Sequence, residues 1–482
     1  MSQPTIMCVK SVQVQTQRGF AALLFCFALT AVPPLHAQGP KIVDVWRTNA
    51  DRSELMAHQR VAARAGTASD TITIDAKKSY QSIDGFGFAM TGGSAQLLHK
   101  MSAARRHEVL QRLFGRGPND LGVSYLRVSI GASDMNDHVY TYDDMPAGQT
   151  DPSLAHFTLA EDEADVIPMM KEVLSISPKL QILASPWTPP SWMKTNDSAK
   201  GGTLQPEFYS AYAAYLVRYL QAMQAHGVPI TALTMQNEPL NPKNTPSLMM
   251  EAPDEAAFLS NALGPALRAA HLKTKVVLFD HNCNHPDYPL TILQDPKANE
   301  FADGSGFHLY EGEISAMSQV HDAFPSKNLY FTEQMVIEEK HDGKPQTVAM
   351  PVSRIVVGAM RNWSRTVLLW NLAADPNFGP HTNEGGCPIC QGAITIDGDK
   401  ETGNIALYTI AHVSKFVPTG SVRIDSSAGY KELNNVAWRT PFGKYVLLVT
   451  NTGDAKREFN VSAGKVSFAA SLEAGSVATF VW

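Results

Sequence analysis

Cysteine is scarce in this sequence, which has only five among 482 residues. Two of the five lie in the first 37 residues, so the rest of the chain has Cys283, Cys387 and Cys390. Three cysteines cannot form the framework of a disulfide scaffold, and the fold therefore depends on an apolar core. Hydrophobic residues at 44% and charged residues at 18% supply such a core and exclude a disordered chain.

Long apolar runs and excess positive charge are also missing. The exception is an uncharged stretch of 13 residues, 20–32, which follows Lys10 and Arg18 and precedes a small-residue ending at Ala37. This pattern predicts a secretory signal peptide over residues 1–37, because a bilayer span needs about 20 apolar residues. An uncleaved anchor is the alternative. We expect a secreted or periplasmic protein with no membrane span after cleavage near Ala37. Cleavage removes Lys10 and Arg18 and changes the net charge from −6 to −8, which argues against nucleic acid as a partner.

From about residue 84, short apolar runs alternate with amphipathic stretches of helical length, a pattern typical of parallel strands joined by helices. The stretch 208–227, for example, repeats apolar residues three and four positions apart. The sequence has no glycine-rich dinucleotide-binding fingerprint that would support the alternative of an open sheet. The pattern predicts a (β/α)8 TIM barrel, and its eight candidate strands are 84–91, 122–130, 180–188, 230–238, 274–281, 304–310, 328–335 and 365–372.

After residue 417 the pattern changes to short alternating runs separated by Gly, Asn and Asp, which predicts an antiparallel β-module. The strand-like segment 71–75 indicates that one or two strands before the barrel join this module. We therefore expect four parts: a signal peptide (1–37), an N-terminal segment contributing to the β-module (38–80), a catalytic barrel (81–417) and the C-terminal module (418–482).

Active sites of such barrels lie where the strands end at their C-terminal face. Glu238 and Glu333 end candidate strands 4 and 7, which are nearly opposite each other across a barrel mouth. Two such carboxylates about 5 to 5.5 Å apart are what a retaining glycosidase needs. A buried, salt-bridged carboxylate is the alternative for either glutamate. The other polar and aromatic residues at the strand ends are Arg127 with downstream Asp134, Trp187, Asn237, His281, His308, Tyr310, Trp370 and Asn371.

The two glutamates must differ in pKa to do different chemistry. We expect Arg127 to help keep Glu333 ionised and a less polar setting to keep Glu238 protonated. Asn237 is placed to bind the 2-hydroxyl of a sugar. The same face carries tryptophans on which a sugar ring can stack, Trp187 and Trp370, with Trp192 extending the platform; a core position is the alternative for each.

Several motifs together resemble the glucosylceramidase family of glycoside hydrolases, family 30 of clan A. They are DGFGFAMTGGSA at 84–95, ASPWTPPSWMKTN at 184–196, TMQNEP at 234–239, FHLYEG at 307–312, FTEQ at 331–334, LLWNLAADPNFGP at 368–380 and the closing SVATFVW. The resemblance covers most of the chain after the signal peptide. It implies a β-sandwich packed on the barrel and no metal or organic cofactor.

The resemblance also implies roles for single residues. Glu238 corresponds to the acid/base and Glu333 to the nucleophile. The positions that contact the sugar correspond to Asp134, Trp187, Asn237 and Trp370. Arg127, His308 and Tyr310 support the nucleophile, and Tyr310 is also expected to bind substrate. The expected partner is a β-linked glucoside, oligosaccharide or glycolipid.

These observations predict a retaining β-glucosidase of the glucosylceramidase type. The segment 381–397 departs from that type and resembles the microbial β-1,6-glucanase branch, so an endo- or exo-acting β-1,6-glucanase is the alternative. A carbohydrate-binding protein on a degenerate barrel is the non-enzymatic alternative, and retention of both glutamates argues against it. A metal-dependent barrel hydrolase would need clustered His and Asp ligands at several strand ends.

Two cysteine-containing segments have competing interpretations. Cys387 and Cys390 form a CxxC motif, which suits half a zinc site or a redox pair, but in an exported protein without a second CxxC a small loop disulfide is favoured. The segment 281–285, His-Asn-Cys-Asn-His, has the composition of a metal cluster, yet as a loop after strand 5 it is expected to contact substrate or solvent.

Overall fold

The centre of the fold is a closed barrel of eight parallel strands, which confirms the predicted (β/α)8 architecture. The computed structural model describes residues 41–338, 346–430 and 432–482, and the predicted signal peptide lies outside these ranges. Strand 8 pairs with strand 1, Thr366 opposite Gly85, and so closes the barrel. Barrel strands 1 to 8 are Gly85–Met90, Tyr125–Ile130, Gln181–Pro186, Ala232–Thr234, Lys275–Cys283, Ala302–Gly312, Asn328–Glu333 and Ser364–Leu369.

Helices connect the strands as the 3.6-residue periodicity predicts. The helix Tyr209–Ala225 buries Tyr212, Leu216, Tyr219 and Met223, which recur four and three residues apart, on one face. The other α-helices are Gly92–Lys100, Ala103–Phe114, Ala160–Ala164, Val166–Ile176, Ala252–Phe258, Gly264–Ala269, Asp287–Gln294, Pro296–Phe301, Ala316–Ala323, Ala349–Pro351, Gly358–Arg361 and Ile405–Ser414, with π-helical turns at Leu259–Leu263 and Val352–Val357 and 3₁₀ turns at Ser191–Met193 and Pro206–Phe208.

An apolar layer fills the barrel below the polar residues of the strand ends. Tyr125 precedes Arg127 on strand 2, and Tyr330 precedes Glu333 on strand 7. The barrel is thus a packed core rather than a pore, and ligands have access from its mouth. The layer consists of six buried side chains from six different strands: Tyr125, Leu183, Ala232, Val277, Tyr330 and Leu368.

A nine-stranded sheet forms the β-module and encloses its own apolar core, which includes Val43, Ile72, Phe459 and Phe480. Three of its strands precede the barrel in sequence, whereas the sequence predicted one or two. In spatial order the strands are Val466–Leu472, Arg457–Ala463, Thr71–Ser82, Val422–Ser426, Leu433–Arg439, Tyr445–Asn451, Val477–Val481, Ile42–Thr48 and Ala57–Ala62.

A small sheet follows barrel strand 8 and comprises Ala373–Ala374, Ile394–Asp397 and Lys400–Gly403. It anchors both ends of the loop 375–393, which extends to the barrel mouth. None of the helices in the described ranges combines the length and the apolar character needed to span a bilayer.

Candidate active site

The residues predicted from the strand ends meet at the mouth of the barrel. Arg127 and His308 are fully buried and support the wall of a single cavity of about 450 Å³. Their neighbours on the cavity surface are Asp134, Trp187, Asn237, Glu238, Tyr310, Glu333 and Trp370.

Glu333 ends barrel strand 7 and is held by two donors. Arg127 Nη1 lies 2.5 Å from Oε2, and the Tyr310 hydroxyl donates to Oε1 at 3.0 Å. The Tyr310 oxygen in turn accepts the Met335 N–H at 3.1 Å, which directs the hydroxyl proton to the carboxylate. Burial raises the pKa of Glu333, as do the neighbouring carboxylates of Glu238 and Asp280, and together these effects outweigh the lowering of the pKa by His308 and Arg127.

Glu238 follows barrel strand 4 in a left-handed backbone conformation, with a φ of 45°. Its Oε1 lies 3.1 Å from His308 Nδ1, and its Oε2 accepts from Asn241 Nδ2 at 2.8 Å. Burial raises the pKa of Glu238, but His308, His281 and Asn241 together lower it to about 2. The expectation of a less polar setting that keeps Glu238 protonated is therefore wrong, because a buried histidine stands beside its carboxylate.

His308 connects the two glutamates. Its Nδ1, close to Glu238, is also 3.7 Å from Glu333 Oε1, and its Nε2 lies 3.1 Å from Asp280 Oδ1. Burial lowers the pKa of His308, but the carboxylates of Glu333, Asp280 and Glu238 raise it to about 9. At neutral pH His308 is therefore an imidazolium, and both of its nitrogens donate.

Asp280 is a site residue that the sequence analysis missed. It is fully buried, and its Oδ2 accepts from Arg127 Nη2 at 2.7 Å. The predicted strand 5 ends at His281, which was assigned to the active-site face. Because successive side chains of a strand point to opposite faces, its neighbour Asp280 was expected to point away from the barrel interior. In the structure Phe279 and Asp280 adopt φ angles of 71° and 59°, which break the alternation and turn Asp280 inward. The sequence signal that could have identified Asp280 is its position directly after the apolar run VVLF. An acidic residue on a buried strand is rarely buried without partners, so its position indicates a functional or paired carboxylate.

Trp187 and Trp370 form the aromatic part of the cavity, with ring centroids 5.4 Å apart. Arg127 Cζ lies 4.9 Å from the Trp187 centroid, within cation–π range. The Asn237 side-chain oxygen accepts from Arg127 Nη2 at 2.6 Å, which leaves its NH₂ group as a donor for a ligand. Trp192 does not extend this platform: its indole N–H donates to a backbone carbonyl at 2.9 Å, and it does not border the cavity.

Asp134 borders the cavity from the loop after barrel strand 2. Burial raises the pKa of its carboxyl to about 8, and the neighbouring charges of Glu333 and Glu238 act in the same direction. The side chain is therefore largely neutral at pH 7 and has a proton to donate to a ligand hydroxyl.

A disulfide joins Cys387 to Cys390 at the rim of the cavity. Both cysteines pack in an apolar cluster with Trp370 and Met335. Ile389, between the two cysteines, is 45% exposed and borders the cavity. The sulfurs are therefore bonded to each other in this structure, rather than arranged as metal ligands.

The segment 281–285 does not gather into a metal cluster. His281 faces Glu238 with its Nδ1 3.7 Å from Oε1, whereas Cys283 is buried, and burial raises its thiol pKa to about 12. Within the described ranges, ligand atoms of Glu238, His281 and His308 do lie within 4.8 Å of one another. A cation at these atoms would have to displace the proton of His308, because a ligating imidazole must be neutral.

Two buried glutamates at the mouth of a parallel barrel, bordered by tryptophans, define the class of barrel glycoside hydrolases. Residues 83–417 match the family model described as the glycosyl hydrolase family 30 TIM-barrel domain, and residues 420–480 match the glycosyl hydrolase family 30 beta sandwich domain. The chain belongs to glycosyl hydrolase family 30, as the motifs predicted.

Relatives within the family differ in similarity. The endo-1,6-beta-D-glucanase BGN16.3 of Trichoderma harzianum is 31% identical over 426 residues, which cover 83% of this chain and 84% of the relative. The endo-1,6-beta-D-glucanase of Neurospora crassa is 34% identical over 372 residues, 74% of this chain and 75% of the relative. The lysosomal acid glucosylceramidase of Mus musculus is 28% identical over 460 residues, 89% and 87% of the two chains.

Among solved structures, that of the endo-beta1,6-glucanase BT3312 superposes with a TM-score of 0.85 and 34% identity, and the match covers 91% of this chain and 99% of the other. Together these comparisons favour the β-1,6-glucanase alternative over the glucosylceramidase expectation.

Proposed function

We propose that this protein is a retaining endo-β-1,6-glucanase, with Glu333 as the nucleophile and Glu238 as the acid/base. The observation that carries the mechanism is the approach of one histidine nitrogen, His308 Nδ1, to both glutamates, at 3.1 and 3.7 Å. These distances limit the separation of the two nearest carboxylate oxygens to about 6.8 Å at most. That limit accommodates the about 5 to 5.5 Å of retaining enzymes and lies at the low edge of the range for inverting ones.

The contacts of Glu333 suit a nucleophile. Arg127 and Tyr310 fix both carboxylate oxygens, so that the carboxylate is oriented before the sugar arrives. In the first step an oxygen of Glu333 bonds to the anomeric carbon while the bond to the leaving oxygen breaks.

The contacts of Glu238 suit the acid/base. Its Oε1 faces the protonated Nδ1 of His308, so the pair holds a proton beside the scissile bond. The leaving oxygen takes up this proton in the first step. In the second step Glu238 removes a proton from water while the water oxygen bonds to the anomeric carbon and the bond from that carbon to Glu333 breaks, which restores the starting state.

The cavity walls support a sugar on both sides of the scissile bond. We infer that Trp187 and Trp370 stack on the sugar that becomes covalently bound, with Asn237 at its 2-hydroxyl. Asn241 and Asn244 lie beside Glu238, and Glu311 also borders the cavity; these hydrogen-bonding side chains suit the hydroxyls of a second sugar better than a lipid. The identities of 31% and 34% to endo-1,6-beta-D-glucanases support the same substrate class.

The product profile on three substrates tests the proposal: a β-1,6-glucan, a β-1,3-glucan and glucosylceramide. We expect the β-1,6-glucan alone to be cleaved rapidly, into a ladder of oligosaccharides whose new reducing ends are β when first formed. Glucose as the sole early product would indicate exo action. Preferential cleavage of glucosylceramide would restore the glucosylceramidase interpretation, and binding of glucan without turnover would indicate a carbohydrate-binding protein.

A further inference from the structure

Asp280 has three contacts that reach both halves of the proposed catalytic pair. Its side chain accepts from Arg127, which holds Glu333, and from His308, which faces Glu238. Its backbone carbonyl accepts the N–H of Glu238 itself at 3.0 Å. The position of Asp280 therefore affects the nucleophile and the acid/base together.

The backbone that carries Asp280 is unusual. Phe279 and Asp280 are consecutive non-glycine residues with positive φ, a conformation that is an outlier for a bulky side chain such as phenylalanine. Such conformations persist only where the surrounding structure holds them. Regular pairing of barrel strands 4 and 5 ends at Thr234 and Val277, just before this pair.

The group that takes up the N–H of Phe279 is the carboxyl of Glu255. This residue lies on the helix Ala252–Phe258, is buried and does not border the cavity. Its Oε1 accepts from Phe279 N–H at 3.0 Å, and its Oε2 lies 2.8 Å from the Tyr288 hydroxyl. The Tyr288 hydroxyl is also 2.8 Å from the Met250 carbonyl.

We propose that Glu255 is a positioning residue, whose carboxyl accepts the Phe279 N–H and thereby holds Asp280 in the orientation that reaches Arg127 and His308. Without this acceptor the buried Phe279 N–H would be unpaired, which favours a return of residues 279 and 280 to ordinary strand geometry. That change would turn Asp280 away from both partners. The inference rests on the proposed function, since its effect appears in the two-step reaction.

The chain offers a matched pair of substitutions at this position. Glu255→Gln keeps the oxygen for Phe279 N–H, and its NH₂ can donate to the Tyr288 oxygen while Tyr288 donates to Met250. Burial raises the pKa of Glu255 to about 7, so a neutral side chain is close to its native state. Glu255→Met has a similar size but no acceptor. Tyr288→Phe removes the other contact of Glu255 and leaves the bond to Phe279.

Steady-state kinetics on phenyl β-glucoside, an aryl glucoside whose poor leaving group needs protonation, from pH 4 to pH 10, with urea unfolding of each variant, test the inference. We expect E255Q and Y288F to retain kcat within about twofold. E255M should lose kcat at least tenfold with KM changed less than threefold. The high-pH limb of the E255M activity profile should move to lower pH, because His308 loses its Asp280 partner. The titratable groups that face His308 are Glu238, Glu333, Asp280 and His281. If E255M does not fold, Glu255→Asp, too short to reach Phe279 N–H, replaces it under the same criteria.

Two outcomes would overturn the inference: a folded E255M or E255D with the kcat and pH profile of the wild type, or E255Q as impaired as E255M, which would assign the effect to charge rather than to the acceptor. A wild-type protein that cleaves neither glucan nor aryl glucoside would overturn the proposed function instead. The two failures are thus distinguishable.

Discussion

Replacing Asp280 by asparagine tests the buried network beneath the cavity with almost no change in shape. Three donors face Oδ2, namely Arg127 at 2.7 Å and the hydroxyls of Ser185 and Thr234 at 2.7 and 2.9 Å, whereas His308 faces Oδ1. The side chain of asparagine has one acceptor oxygen and one NH₂ donor group. The oxygen is expected to face the three donors, because this orientation satisfies most hydrogen bonds, so the NH₂ group faces His308 Nε2. Two donors cannot face each other, and His308 must give up its Nε2 proton.

The expected magnitudes follow from burial. Breaking a buried ion pair costs about 3–5 kcal/mol, and asparagine keeps one acceptor for Arg127, so we expect D280N to lose about 3 kcal/mol of unfolding free energy. The pKa of His308 is raised to about 9, above its unfolded value near 6.5. Its contribution to stability is therefore complete below about pH 6.5 and is lost as pH rises through about 9, and D280N should lack this decline. The neutral His308 keeps its Nδ1 proton beside Glu238 but is a much weaker acid than an imidazolium, so kcat/KM on a β-1,6-glucan at pH 7 should fall by about 10².

Urea unfolding at pH 6, 7.5 and 9, together with the pH profile of kcat/KM, measures both effects. Ser185→Ala is the matched control, because it removes one neutral donor to the same carboxylate. It should cost about 1 kcal/mol and leave the high-pH limb in place. The reasoning is refuted if D280N unfolds within about 1 kcal/mol of the wild type at pH 7.5 and keeps the wild-type pH limb.

Four further predictions concern single features. Glu333→Ala should abolish turnover, and a 2-deoxy-2-fluoro glucoside should label Glu333 in the wild type; a label on another carboxylate would contradict the nucleophile assignment. Glu238→Ala should keep the first step on an activated aryl glucoside and yield a β-glycosyl azide with added azide, whereas equal impairment on glucan and aryl substrates would contradict an acid/base role. Changing Cys387 and Cys390 to Ser should leave kcat on a small aryl glucoside nearly intact, and its loss would show a larger role for the disulfide. If the predicted signal peptide is cleaved, mass spectrometry of the protein expressed from its full sequence should find an N-terminus just after Ala37, and an uncut chain would indicate an anchor.

Much of the fold could be predicted from the sequence because periodicity reports burial directly. All eight barrel strands lie at the predicted places, since a parallel strand covered on both faces reads as a continuous apolar run. The strand Val422–Ser426 and the small sheet that begins at Ala373–Ala374 were not identified individually, because strands of five and two residues are too short to establish a periodic pattern.

The candidate site was predictable where it depends on strand ends and not where it depends on backbone detail. Alternation along a strand assigns each residue to a face, and it fails at Asp280 because two left-handed residues interrupt it. The pKa order of the two glutamates was unpredictable for a related reason. The distance of His308 Nδ1 from each carboxylate, 3.1 Å from Glu238 and 3.7 Å from Glu333, depends on packing and not on sequence spacing.

The charges of the network also indicate how one site can supply an acid in the first step and a base in the second. Glu333 makes the largest contribution that raises the pKa of His308, and its charge also raises the pKa of Asp134. In the proposed mechanism the covalent bond to the sugar converts Glu333 to a neutral ester. His308 then holds its proton less tightly, which favours transfer of that proton to the leaving oxygen. Once His308 has lost this proton, the pKa of Glu238 rises, because His308 makes the largest contribution that lowers it, and the Glu238 carboxylate becomes a stronger base. An ionised Glu238 is the base that the attacking water needs. Bond formation at the nucleophile therefore prepares the acid/base for its second role through charge.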